Sequence, residues 1–218
     1  MNFAREQSLL RQKLQAKASP DIAAVLQQQH GGSVTFLGAD HAAVREAAAD
    51  LAAAWPAMGR AQMTAFVRTL WNSRLHELRA VGVHLLAARE ALLEPADLPL
   101  LETFLRDDAT DAVHAQLASA VVGALVTRNK KLWKDLKRFA ASGHAGLARA
   151  AVRAAATPLA ADAEAFPRFQ ELVSPLLAAA DGVLQAAIDE LLVAVAGTHG
   201  TSVRGFASEH GRRIALPA

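Results

Sequence analysis

The stretch Leu70 to Leu86, LWNSRLHELRAVGVHLL, decides how the rest of the chain is read. Apolar residues on both sides of it recur at three- and four-residue spacings, so it reads as the junction of two helices. Trp71, Ser73, Glu77 and Arg79 gather around that junction. Trp71 is expected in the core, where truncation to Ala would cost about 3–5 kcal/mol. Glu77 and Arg79 are two apart and cannot face each other on one helix. They are therefore expected to bind neighbouring helices. Some thirty residues earlier, FLGADHAAVR (Phe36 to Arg45) supplies a Phe-Leu-Gly turn and a helix start.

The same periodicity continues outward, and alternating β-type runs are scarce. Breakers at Pro20-Asp21, Gly31-Gly32, Gly38 to Asp40, Pro56 to Gly59 and Glu94 to Asp97 punctuate the first half. Those at Asp107 to Thr110, Arg128-Asn129, Ser142 to His144, Thr157 to Ala163, Ala180 to Gly182 and Gly197 to Gly200 punctuate the second. About twelve helices follow, or roughly six antiparallel pairs. Acidic turns precede helices with closely spaced small residues, as in DAVHAQLASAVVGAL and DGVLQAAIDELLVAV. Small residues let neighbouring helices approach closely, as a stack of pairs requires. Periodicity alone leaves an α-solenoid and an irregular helical bundle open.

Composition narrows the function classes. The 218 residues suffice for one domain with a substantial core. With no Cys, disulfides and Cys-containing zinc sites are excluded. The charged, amphipathic opening MNFAREQSLLRQKLQAK lacks the apolar core of a signal peptide. No apolar run reaches the roughly 18 residues that span a bilayer, so a cytoplasmic protein with no membrane association is expected. Net charge is only +2, which makes its distribution more informative than its total. RNKKLWKDLKR, Arg128 to Arg138, holds six basic residues against one Asp. It reads as a solvated helix face or as a patch facing phosphates, which need clustered Lys and Arg.

Generic catalytic motifs do not develop. His76-Glu77 suggests a zincin helix, but position 80 is Ala and the next His is His84, so the ligand spacing fails. No metal and no cofactor are expected. Gly197, Gly200 and Gly205 follow no strand, so a phosphate-cradling loop is not indicated there. Ser73, His76 and Glu77 lie on one local segment and lack a nucleophile elbow.

The Phe-Leu-Gly turn and the Leu-Trp-x-Ser-x-x-x-Glu-x-Arg run resemble the opening of the DNA alkylation repair family, the HEAT-repeat alkylpurine DNA glycosylases. The resemblance extends over roughly residues 20 to 213. It implies an all-α, HEAT-like α-solenoid occupying residues 1–218 as a single domain. It also implies double-stranded DNA, alkylated or not, as the partner. The family's Trp-Asp-x-x-Asp, whose second Asp is the catalytic carboxylate, corresponds to Thr110-Asp111-Ala112-Val113-His114. Asp111 persists, while His114 stands in the catalytic position. A further family run, Trp-x-x-Ser-x-x-x-Trp-Leu-Arg-Arg, aligns with Phe139 to Arg149. Arg149 matches a DNA-contacting Arg, and Gly146 replaces the second Trp. The family's Val-Gln-Lys-Ala-Ile-Gly-Trp corresponds to Leu184 to Glu190, so its cleft Trp is Glu190. The N-terminal cleft Tyr falls near Gln28 or Gln29, and the chain has no Tyr.

In family members the carboxylate stabilises an oxocarbenium-like sugar as a cationic purine leaves, without flipping the base. The resemblance therefore implies DNA binding with lost or altered base excision. Asp111, His114 and Glu190 are the candidate cleft residues. Arg149, Lys130, Lys131, Lys134, Lys137 and Arg138 are the candidate DNA contacts. The competing reading is a HEAT-like protein-interaction scaffold with no DNA role.

Overall fold

A computed structural model describes residues 1–30, 32–107, 110–178 and 181–214. Asp108 and Ala109 of the expected 107–110 turn, Ala180 of the 180–182 turn and Gly31 lie outside the described residues. Twelve α-helices and no strand occur among the described residues, as the periodicity predicts. The first six are α1 (Phe3–Gln15), α2 (Pro20–His30), α3 (His41–Ala54), α4 (Arg60–Asn72), α5 (His76–Ala88) and α6 (Leu98–Arg106). The others are α7 (Asp111–Gln116), α8 (Ala124–Arg128), α9 (Trp133–Ala140), α10 (Ala145–Ala161), α11 (Phe166–Val173) and α12 (Gly182–Glu209). Two compact units result: Met1–Leu93 with Asp107–Leu117, and Glu94–Arg106 with Ala118–Ala218.

In the first unit, α5 packs on α3 and α4, and α1 lies against all three. Leu14, Ala47, Met63, Phe66, Val67, Leu70, Val81 and Leu85 have no solvent exposure and form the centre of its core. Asn2 and Asp40 cap α1 and α3 by accepting from Arg5 N at 3.1 Å and Ala43 N at 2.7 Å.

The Leu70–Leu86 motif explains how this unit closes. Ser73 ends α4, its hydroxyl donating to Leu70 O at 2.6 Å. The fully buried Glu77 carboxylate accepts from Leu37 N at 3.0 Å and Gly38 N at 2.8 Å. Gly38 has φ +84, and a Cβ there would lie 2.1 Å from Ser19 O. Only glycine satisfies both the left-handed turn and that close approach. Arg79, 2% exposed, donates to Trp71 O at 2.9 Å and to Asp107 Oδ2 at 2.9 Å. Its guanidinium sits 4.8 Å over the Trp71 ring, whose Nε1 donates to the same Asp107 oxygen at 2.8 Å. Arg79 thus reaches a neighbouring helix, α4, as expected, whereas Glu77 reaches the turn ahead of α3 rather than a helix.

The second unit is built around α10, which packs on α8, α9 and α12. Its buried face is largely alanine, including Ala150, Ala151, Ala154 and Ala155. The break expected at Thr157 to Ala163 comes later, because α10 continues through Pro158 to Ala161. Pro158 is buried there, and Thr157 Oγ1 donates to Ser119 O at 2.9 Å, anchoring the turn that lacks the proline N–H. Ser119 belongs to a π-helical stretch, Leu117–Gly123. A Cβ on Gly123 would lie 2.9 Å from Ala154 O, so the stretch approaches α10 closely only because that residue is glycine.

The turn expected at Gly197 to Gly200 is also corrected. Helix α12 runs across it with a single non-helical residue, His199 at φ −120 and ψ 26. The buried His199 ring bonds Leu159 O through Nε2 at 2.7 Å, which fixes a kink where a break was expected.

Candidate functional site

Helix α7 carries two of the three candidate cleft residues. Thr110 is its N-cap, with Oγ1 accepting from Val113 N at 3.5 Å. Asp111 follows at the first helical position and is exposed, where a carboxylate complements the helix N-terminus. His114 is on the inner side of the helix and only 5% exposed. Both belong to the first unit; Glu190, exposed on α12, belongs to the second. Gln28 and Gln29 are exposed on α2.

Beside α7, the first unit contains a cavity of about 480 Å³ that sequence reasoning missed. His41, His76, His84 and Gln116 line it, together with Asp40. Neither Asp111 nor His114 is among its lining residues. The Gln116 amide lies 2.8 Å from His84 Nδ1, and the His41 and His84 rings are 5.3 Å apart. Burial is the main cause that pushes both His84 and His76 below the usual histidine range. These histidines come from two helices separated by more than thirty residues, and no local spacing signals them. Among the described residues no group of three His, Cys, Asp or Glu side chains is placed to hold a metal ion.

In the second unit the basic segment is partly neutralised by carboxylates remote in sequence. Lys130 pairs with Asp162 at 2.7 Å, and Lys137 pairs with Glu171. Arg138 makes a two-pronged contact with Glu102 at 3.0 and 2.6 Å. These cations hold Asp162, Glu171 and Glu102 below the ordinary carboxylate range, chiefly by hydrogen bonding. Lys131 and Lys134 are exposed and carry no ion pair among the described residues. Trp133, Leu136 and Phe139 bury the opposite side of α9, which turns Lys134 outward.

Arg149 lines a separate concavity of about 360 Å³ in the second unit. The N-terminal ends of α10 and α12 open on it, with caps His144 and Asp181. Helix N-termini and a guanidinium favour an anion there, whereas the Asp181 carboxylate opposes one. Gly146 lies close by. A Cβ on it would meet the His144 ring at 3.1 Å and Leu105 O at 3.2 Å, so a larger residue requires a shift. Arg212, just after α12, donates back to Asp189 Oδ1 at 2.7 Å and Gln185 Oε1 at 2.6 Å on that helix, which ties down the segment after it.

No helix among the described residues is long and apolar enough to cross a membrane. In comparisons with known proteins, a family model described as DNA alkylation repair enzyme matches residues 10–217, nearly the whole chain. No individual curated protein matches it.

Proposed function

The chain belongs to the DNA alkylation repair enzyme family, and from that premise we propose that it binds double-stranded DNA with lost or altered base excision. The single observation that carries the altered chemistry is His114, a buried imidazole where the resemblance requires the catalytic carboxylate. An imidazole bears no negative charge in either protonation state, so it cannot oppose the developing positive charge of a departing purine's sugar. Thr110, Gly146 and Glu190 replace the aromatic positions of the same family motifs. This reading takes residues 1–218 as one HEAT-like array of helix pairs in a cytoplasmic protein.

DNA contact is assigned to the phosphate backbone. Lys131, Lys134 and Arg149 are its principal candidates, and Lys130, Lys137 and Arg138 must first exchange their carboxylate partners. That neutralisation is the observation favouring the second reading, a protein-interaction scaffold.

Salt-titrated binding to unrelated duplexes, paired with base release from methylated DNA, tests the proposal. Affinity is expected to fall steeply with salt and to depend little on sequence. Release of 7-methylguanine or 3-methyladenine is expected to be absent, and His114→Asp alone should recover little. Rapid release by the unmodified protein overturns the lost-excision reading; Asp111→Asn and Glu190→Gln then identify the substitute carboxylate. Binding that is undetectable at low salt leaves the scaffold reading in its place.

A further inference from the structure

We infer that the concavity between α1 and the α4–α5 turn of the first unit binds a sugar phosphate, with Arg11 and Ser8 holding the phosphate and Gln7 and Thr35 the sugar hydroxyls. Neither the candidate cleft residues nor the candidate DNA contacts line it, and the inference stands without the DNA reading.

Helix α1 supplies one wall through Ala4, Gln7, Ser8 and Arg11, whose spacing of three, four and seven residues puts them on one helix face. The facing wall, around Thr35 and Leu75, is pinned by the backbone. Thr35 N donates to Arg74 O and His76 N donates to Thr35 O, each at 2.9 Å, on either side of Leu75. Arg74 is the single residue other than glycine with a positive φ, +56, among the described residues. Left-handed backbone outside glycine persists only where its surroundings hold it, and it clusters at ligand sites.

The charge of the lining is one-sided. Arg11 is exposed and makes no ion pair among the described residues, and no carboxylate lines the concavity. Glu6 is two residues from both Ala4 and Ser8, so it lies away from their face. Lys13, seven residues further along that far side, pairs with Glu46 at 3.4 Å. The concavity therefore favours an anion.

Ser8 lies three residues before Arg11, so its hydroxyl and the guanidinium fork are neighbours on the helix face. The fork alone takes up both oxygens of a carboxylate, whereas a phosphate leaves further oxygens for Ser8. The space, about 440 Å³, is large for inorganic phosphate and falls within the roughly 300–1,000 Å³ of small-molecule sites. The rest of the ligand then meets neutral polar groups. The half-buried Gln7 amide makes no hydrogen bond among the described residues. Thr35 Oγ1 sits 3.4 Å from Arg74 O, a long bond that a ligand can replace. An amide and a hydroxyl both donate and accept, as sugar hydroxyls require.

The experiment titrates ribose 5-phosphate into the 15N-labelled full chain and follows the Gln7 side-chain amide and Arg11 Nε. Saturable shifts of both are expected. Ribose alone, and Arg11→Gln with the phosphate ester, should each bind weaker by about tenfold or more, the scale of a charge-assisted hydrogen bond. Ala4→Phe, at an exposed position on the same helix face, should abolish binding by filling the space, with circular dichroism confirming the fold of both variants. A parallel titration with a DNA duplex separates the two sources of the phosphate. Shifts from ribose 5-phosphate alone assign a free sugar phosphate; shifts from the duplex alone, lost in Arg11→Gln, assign a unit of the DNA backbone. No shift of Gln7 and Arg11 from either probe overturns the inference, even if the duplex binds elsewhere. So does ribose binding as tightly as its phosphate ester, or a shift that survives Arg11→Gln and Ala4→Phe. A ribose 5-phosphate site with no duplex binding at low salt supports the inference and sinks the DNA reading instead.

Discussion

Removing the Glu77 carboxylate is the sharpest test of how the N-terminal motif works. In Glu77→Ala, the N–H groups of Leu37 and Gly38 lose their acceptor together. Gly38 is buried, so its orphaned donor bears a desolvation cost of about 1–3 kcal/mol. Leu37 is half-exposed, and water can replace part of its bond. The two together give about 2–4 kcal/mol, since bonds to a charged acceptor lie at the stronger end. For a chain of this size each kcal/mol lowers Tm by roughly 2–4 °C, which gives a fall of roughly 4–16 °C. Glu77→Gln keeps the shape and one acceptor oxygen, and should lie between the wild type and Glu77→Ala. Urea denaturation followed by circular dichroism measures both variants. A loss below about 1 kcal/mol in Glu77→Ala, against the about 1–3 kcal/mol of one buried orphaned donor, would refute the reasoning. So would a Glu77→Gln protein less stable than Glu77→Ala.

Gly38→Ala should destabilise by more than about 2 kcal/mol, because strain at φ +84 adds to the clash with Ser19 O; an unchanged urea midpoint counts against that turn. In salt-titrated DNA binding, Lys131→Ala with Lys134→Ala should lower the salt slope by about 2, whereas Lys130→Ala with Lys137→Ala should change it less. Equal effects would show that the ion pairs do not withhold those lysines. On acidification, stability should begin to fall near pH 6.5. The unfolded chain then takes up protons that the burial-depressed His76 and His84 refuse, and the loss ends once pH passes below their folded values. Glu102, Asp162 and Glu171 add a separate loss at lower pH, below their ordinary values of 3.8–4.5. Urea midpoints at pH 7.5 and 5.5 isolate the histidine part; a midpoint that rises at pH 5.5 contradicts it.

The helical fold was legible because its signals are local. Apolar spacing marked the helices, and Gly38 to Asp40 marked a turn ahead of a helix start. The Glu77–Arg79 spacing also announced two groups reaching in different directions. Other features depend on residues distant in sequence. The α10 helix tolerates Pro158 because Thr157 is anchored to Ser119 O, and α12 passes Gly197 and Gly200 because His199 is held by Leu159 O. Local breaker rules contain neither partner. The basic run has the same difficulty: its composition is evident, but its carboxylates lie 32 to 36 residues away. The histidine cavity required α3 and α5 to be brought together before it could be recognised.

Gly146 has a consequence for how such a chain can change over generations. The carbonyl of Leu105 and the ring of His144 occupy the space a side chain would enter. Even a Cβ introduced there, at 3.1–3.2 Å from these atoms, asks them to give by a few tenths of an ångström. A larger side chain at position 146 therefore goes together with a small displacement of Leu105 or His144. Position 146 is thereby coupled to two residues on either side of it in the fold, and its size is set jointly with theirs rather than alone.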